Sequence, residues 1–202
     1  MAPNIIYCEQ QSPEWFAARL GKVTASHFAQ AMMAKSASGR KTYMMKLVAE
    51  RMTGQPLESY SAKWMEEGSE KEPEARIYYE GVKGVAVEQV GFVDAGDIGA
   101  SPDGLIGDDG LLEIKCPFPN THLEYILAKK LPSVYKAQVH GQLWVTERQW
   151  TDFVSYDPRV ISRPFWCVRV ERDEKYIKEI KTAVEQFVEE LLTLVAEVSI
   201  PF

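Results

Sequence analysis

The 202-residue chain is poor in cysteine, in histidine and in excess positive charge, and it has no long apolar run. Cys8, Cys116 and Cys167 are an odd number, far apart and without a CxxC pair, which excludes a disulfide framework or a zinc ribbon and fits a reducing compartment. Nothing approaches the roughly 18 apolar residues of a membrane helix. Met1 to Gln10 also lacks the basic and apolar blocks of a secretory leader, so the expectation is a soluble cytoplasmic protein that meets no membrane. The histidines His27, His122 and His140 have no metal-ligand spacing, and GxxxxGK(S/T), GxSxG and HExxH are absent. With 23 basic against 29 acidic residues, a net charge of -6, the chain does not hold nucleic acid by bulk attraction. A site that collects carboxylates for divalent cations would carry such a charge and reach phosphates through the metal.

What is present suits one globular domain over residues 1–202: 46% of residues are hydrophobic and no repeat, linker or low-complexity tract interrupts them. Ser12-Pro13-Glu14 opens a helix through Arg19 that stops at Gly21. Thr24-Ala25-Ser26 offers a cap for a second helix, His27 to Ala34, and a polar loop from Lys35 to Lys41 leads into a third, Thr42 to Met52, ended by Gly54. A helical stretch from Lys63 to Tyr79 contains Gly68 and Pro73, and the proline is expected to bend or restart it beside Glu72. Ala86 to Asp94, Ile98 to Ser101, Leu111 to Cys116, Thr151 to Tyr156 and Phe165 to Val170 read as strands. Helices follow from Pro132 to Val145 and from Asp173 to Val198. The order implies an α/β protein with a central mixed sheet flanked by helices.

Carboxylates carry the chemistry that remains. Ser101-Pro102-Asp103-Gly104 and Leu111-Leu112-Glu113-Ile114-Lys115-Cys116-Pro117 form a D-x9-E-x-K pattern. On a strand, Glu113 and Lys115 share a face opposite Leu112 and Ile114. Asp103 joins that face only if the intervening hairpin has odd parity: a three-residue loop at Asp108-Asp109-Gly110 would put it opposite Lys115, whereas a two-residue loop would turn it away. Two carboxylates beside an ammonium suit Mg2+ and metal-assisted phosphodiester hydrolysis. Taken alone, E-x-K reads more readily as a surface hairpin with an i, i+2 salt bridge. On their own, Glu72 is an exposed helix acid, Gln138 a satisfied amide, Thr24 or Ser26 a helix cap and Arg19 a solvated cation.

Five blocks in this order make the whole chain resemble the YqaJ-type exonucleases, the lambda exonuclease family of PD-(D/E)xK nucleases. They are Trp15-x3-Arg19-Leu20-Gly21-x2-Thr24-Ala25-Ser26, Gly68-x3-Glu72-x2-Ala75-Arg76, the Asp103 to Pro117 block, Ala137-Gln138-Val139 with Trp144-Val145-Thr146, and Tyr156-Asp157-Pro158-Arg159. The resemblance implies that Asp103, Glu113 and the main-chain carbonyl of Ile114 bind Mg2+, two ions per site with Mn2+ as a substitute, and that Lys115 stands at the attacking water. It implies Glu72 as an additional acid, directly or in the outer shell, and Gln138 as an active-site glutamine. Arg19, Thr24 and Ser26 match a pocket for a 5'-terminal phosphate, with Ser101 as a further contact, and Arg40 stands in for a second phosphate-binding arginine. Three scattered cysteines exclude the family's iron-sulfur relatives, which need four. The implied activity is a 5'-to-3' exonuclease on double-stranded DNA that releases mononucleotides and leaves a 3' single strand. A homotrimeric ring and a single-strand annealing recombinase as partner are implied with it. An endonuclease or junction resolvase on the same core, or a non-catalytic DNA-binding module, are the alternatives.

Overall fold

Ser12 caps the first helix as expected: its Oγ accepts the Trp15 N–H at 3.2 Å, Pro13 takes the first helical position, and the chain leaves through Gly21 at φ 65°. The computed structural model describes residues 3–57 and 63–200, with 63–70, including Gly68, in backbone alone. Among these residues the elements run β1 (Asn4–Ile6), α1 (Pro13–Arg19), β2 (Val23–Thr24), α2 (Phe28–Ala31), α3 (Ser38–Thr53), α4 (Lys63–Lys83), β3 (Phe92–Ala95), β4 (Ile98–Ala100) and β5 (Gly104–Ile106). They continue with β6 (Gly110–Lys115), α5 (Pro119–Ala128), α6 (Lys136–Thr146), β7 (Trp150–Tyr156), β8 (Phe165–Glu171) and α7 (Glu174–Val198).

The architecture is mixed α/β, but the strands form two four-stranded sheets instead of one, ordered β1-β3-β4-β2 and β5-β6-β7-β8. The break falls where Pro102, which has no N–H for a ladder, separates β4 from β5. Glu88 and Leu105 tie the second sheet back by exchanging main-chain bonds of 2.9 and 2.8 Å. Strand β6 pairs antiparallel with β5 and parallel with β7, and the crossover that a parallel pair needs is supplied by α5 and α6.

Both faces of β6 are covered. Leu112 and Ile114 pack with Ala75 and Tyr79 of α4, while Leu111 packs with Val139 and Leu143 of α6. Glu113 therefore lies on an apolar face beneath a helix, 1% exposed, and not on an open hairpin surface. Gly141 lets α6 approach the segment after β2, since a Cβ there would meet Phe28 Cδ2 at 2.4 Å. Helix α7 buries Ile177, Ile180, Val184, Phe187 and Leu191 at alternating three- and four-residue spacing, and Asp173 caps it by accepting the Tyr176 N–H at 3.0 Å.

Several expected elements shift. α4 runs unbroken through Pro73, held by the buried Ala75 and Tyr79 on the turns that follow. Thr24 makes no side-chain cap; Ala25–His27 is a 3-10 turn and the helix after it ends at Ala31. α3 starts at Ser38 with no capping side chain to signal it, so Arg40 lies in a helix and not in a loop. The turn between β5 and β6 has the expected odd length but comprises Gly107, Asp108 and Asp109, with Gly107 left-handed at φ 51°. Ile106 consequently pairs with Gly110 and Gly104 with Leu112, so Asp103 sits opposite the Leu112–Ile114 stretch and not opposite Lys115.

Candidate active site

Asp103 occupies the bend just before β5. Its N–H donates to the Leu112 carbonyl at 3.1 Å and its Oδ2 accepts the Ile114 N–H at 2.6 Å, which fixes the carboxylate across the end of β6. Strand alternation puts Glu113 and Lys115 on one face, where the Lys115 ammonium contacts Glu113 Oε1. Helix α6 presses two amides onto the same carboxylate: Gln138 Nε2 donates to Oε1 at 2.6 Å and Gln142 Nε2 to Oε2 at 2.7 Å. The Tyr135 ring, in the 3-10 turn that starts this helix, lies 5.4 Å from the Lys115 nitrogen.

The charges are crowded. Burial, followed by repulsion from Glu113 and Glu72, lifts the Asp103 carboxyl well above its ordinary range against the pull of Lys115 and the Ile114 N–H. Glu72 on α4 is lifted by burial, with Lys115 opposing and Glu113 adding. Burial works against the Lys115 ammonium, yet Glu113 and Asp103 more than offset it, so its pKa rises. Burial pushes the Cys116 thiol to about 12, which keeps it neutral and makes it a poor ligand.

Among the described residues, no three His, Cys, Asp or Glu side chains converge to hold a metal by themselves. The donors nevertheless fit a hard divalent cation. Asp103 and Glu113 supply anionic oxygens beside a strand end, and the burial and the mutual repulsion that together raise Asp103 are what such a cation offsets. Glu72 belongs to this electrostatic cluster without a contact to either carboxylate among the hydrogen bonds and ion pairs of the described residues.

A second group lies two residues upstream. Ser101 Oγ accepts from Trp15 Nε1 at 2.9 Å and from Arg19 at 2.9 Å. With both lone pairs used, its hydrogen is left to donate outward. The Arg19 guanidinium stacks 3.9 Å above the Trp15 ring. Thr24 and Ser26 hydroxyls stand 3.1 Å apart, and the parallel pairing of β2 with β4 carries this segment alongside the strand that Ser101 follows. Arg40 does not join them: it is buried, donates to the Ala31 carbonyl at 3.3 Å and pairs with Glu190 of α7 at 2.9 Å.

Gln142 is absent from the residues that the sequence singles out. A signal existed, because it follows Gln138 by four residues and so shares its helix face. Gln142→Leu is expected to remove, at similar volume, the one side-chain donor to Glu113 Oε2 among the described residues and to weaken divalent-cation binding roughly 10–100-fold. Calorimetric titration of the metal checks this, and unchanged affinity would reduce Gln142 to packing.

Comparison with known proteins adds to this geometry. The family model of the YqaJ-like viral recombinase domain matches residues 14–149. The chain is 44% identical to an alkaline exonuclease from Laribacter hongkongensis, LHK-Exo, whose crystal structure superposes with a TM-score of 0.86 over 93% of this chain and 96% of that one. LHK-Exo in complex with dAMP superposes with a TM-score of 0.87 at the same identity and coverage. A phage related exonuclease from Haemophilus somnus 129PT, 18% identical, shares the fold with a TM-score of 0.71 over 88% of this chain and 96% of its own.

Proposed function

Because this chain belongs to the family of YqaJ-like viral recombinase domains, we propose that it is a Mg2+-dependent 5'-to-3' exonuclease on double-stranded DNA. The observation that carries the reading is the convergence of Asp103, Glu113 and Lys115 at the end of β6, two residues from the hydroxyl that Arg19 and Trp15 hold. Asp103, Glu113 and the Ile114 main-chain carbonyl would hold the metal, with Glu72 in its outer shell and Mn2+ an acceptable substitute. A divalent cation held there, alone or as one of a pair, would supply the Lewis acidity that lowers the pKa of an attacking water and screens charge developing on phosphorus. Lys115 orients that water and offsets the same charge from the protein side. Gln138 and Gln142 keep Glu113 aimed by occupying one lone pair on each oxygen.

Arg19, Ser101, Thr24 and Ser26 receive the terminal 5'-phosphate, the guanidinium as a charged fork and the hydroxyls as neutral donors. Cutting the first phosphodiester then frees a 5'-mononucleotide, the chemical class of the dAMP in the LHK-Exo complex. The strand left behind ends in a 3' overhang suited to a single-strand annealing partner. A homotrimeric ring around the duplex and a cytoplasmic site of action complete the proposal. Among the described residues no helix is long and apolar enough to cross a membrane.

Polarity is tested with linear duplex labelled at one end of one strand. A label at the 5' end is expected to be released as mononucleotide in the first turnovers, and a 3' label on the same strand only after most of it is digested. Early release of the 3' label would reverse the assigned direction.

A further inference from the structure

The 3-10 turn after β2 places an imidazole between the two hydroxyls assigned above to the strand-end phosphate. His27 Nδ1 lies 3.0 Å from Thr24 Oγ1 and 3.0 Å from Ser26 Oγ, and the two oxygens are 3.1 Å from each other. The ring is held in place: it stacks on Tyr43 with centroids 4.6 Å apart and planes 11° from parallel, while the Tyr43 hydroxyl accepts the Thr24 N–H at 3.1 Å. Arg19, Thr24, His27 and Tyr43 line one cavity of about 40 Å³, so the ring and the guanidinium face a shared space.

We propose that His27 is the positioning residue of strand-end recognition, setting the direction in which the Thr24 and Ser26 hydroxyls donate; this rests on the reading of Arg19, Thr24 and Ser26 as the 5'-phosphate pocket. Each hydroxyl has one hydrogen. With Nδ1 bare, the ring only accepts, at least one hydroxyl hydrogen turns inward to it, and that oxygen shows a lone pair to an arriving phosphate. With hydrogen on Nδ1, the ring donates to the hydroxyls, neither hydroxyl hydrogen is drawn to it, and an arriving phosphate can turn both outward in exchange for the 3.1 Å contact between the two oxygens. A phosphate oxygen accepts and never donates, so it selects the second arrangement, which moves a hydrogen between ring nitrogens and adds no charge to the ring. Burial, then Lys46 and Arg19, hold the His27 pKa down to about 4, which suits a neutral ring that changes tautomer.

His27→Phe keeps the stack on Tyr43 and removes the nitrogen, whereas His27→Asn offers an amide N–H close to the Nδ1 position. Initiation is measured on linear duplex with 5'-phosphoryl and 5'-hydroxyl ends. The wild type is expected to prefer the phosphoryl end, and His27→Phe to lose roughly tenfold of that preference through KM for the phosphoryl end and not through kcat, the worth of one charge-assisted donor. His27→Asn is expected to recover most of it. Nitrogen-15 NMR of the wild type supplies a readout that needs no variant: a 5'-phosphorylated hairpin duplex added in chelator should shift His27 Nδ1 from the acceptor to the donor range. Should Arg19→Ala lose the preference while His27→Phe keeps it, or should Nδ1 remain an acceptor with the hairpin bound, the role of His27 is overturned and the pocket stands. A wild type with no preference, unaltered by Arg19→Ala, overturns both.

Discussion

Asp103→Asn is expected to lower the rate of DNA hydrolysis roughly 10³-fold or more while leaving the fold at least as stable as the wild type. The two effects separate because they draw on different properties of one side chain. The asparagine oxygen can still accept the Ile114 N–H that Asp103 Oδ2 accepts at 2.6 Å, so the bend before β5 keeps its anchor. What disappears is the charge. Burial and repulsion from Glu113 and Glu72 raise the Asp103 pKa above its unfolded value, so its ionisation costs stability as pH rises from the unfolded pKa through the folded one. At neutral pH and without divalent metal, the neutral variant escapes that cost, and its Tm should equal or exceed that of the wild type. Hydrolysis needs the anion to hold the cation, and it collapses. Near wild-type turnover in saturating Mg2+ would remove Asp103 from the site, and a large drop in metal-free Tm would show that its role is structural.

Lys115→Met should produce the second largest loss, about 10²–10³ in turnover, with Mg2+ affinity kept or increased. The ammonium contacts Glu113, and Glu113 is buried with the amides of Gln138 and Gln142 as its other side-chain partners among the described residues. Removing the ammonium takes away a competitor for the carboxylate and leaves a buried anion in greater need of a cation. Calorimetry with Mg2+ and single-turnover cleavage separate binding from chemistry. A variant that lost affinity but cleaved at the full rate in saturating metal would make Lys115 an organiser of the carboxylates and nothing more.

The long periodic or β-branched segments were legible in the sequence, among them the interior of β6, both strands after it, and α7 from its Asp173 cap to Val198. The parity of the β5–β6 hairpin was legible too, because a carboxylate that must face Glu113 tolerates only an odd turn. Its register was not: Gly107 and Gly110 both offer a left-handed residue, and only the packed sheet selects Gly107. Helix α5 went unread since Phe118 at its start makes no side-chain cap, and β5, beginning at Gly104, is three residues long. The same limit hid the placement of Arg40, whose partner Glu190 lies 150 positions away on α7. Gln142 carried a signal in its four-residue spacing from Gln138, but the carboxylate that it reaches lies on the strand under its helix, and His27 owes its placement to the stack on Tyr43 of α3.

The most direct measurement of the central claim compares linear duplex DNA with the same molecule as a covalently closed circle, each incubated with Mg2+ or with chelator. An end-dependent hydrolase built on Asp103, Glu113 and Lys115 should release acid-soluble nucleotides from the linear form in Mg2+ alone and leave the circle intact. Nucleotide release in chelator, or digestion of the circle, would contradict it.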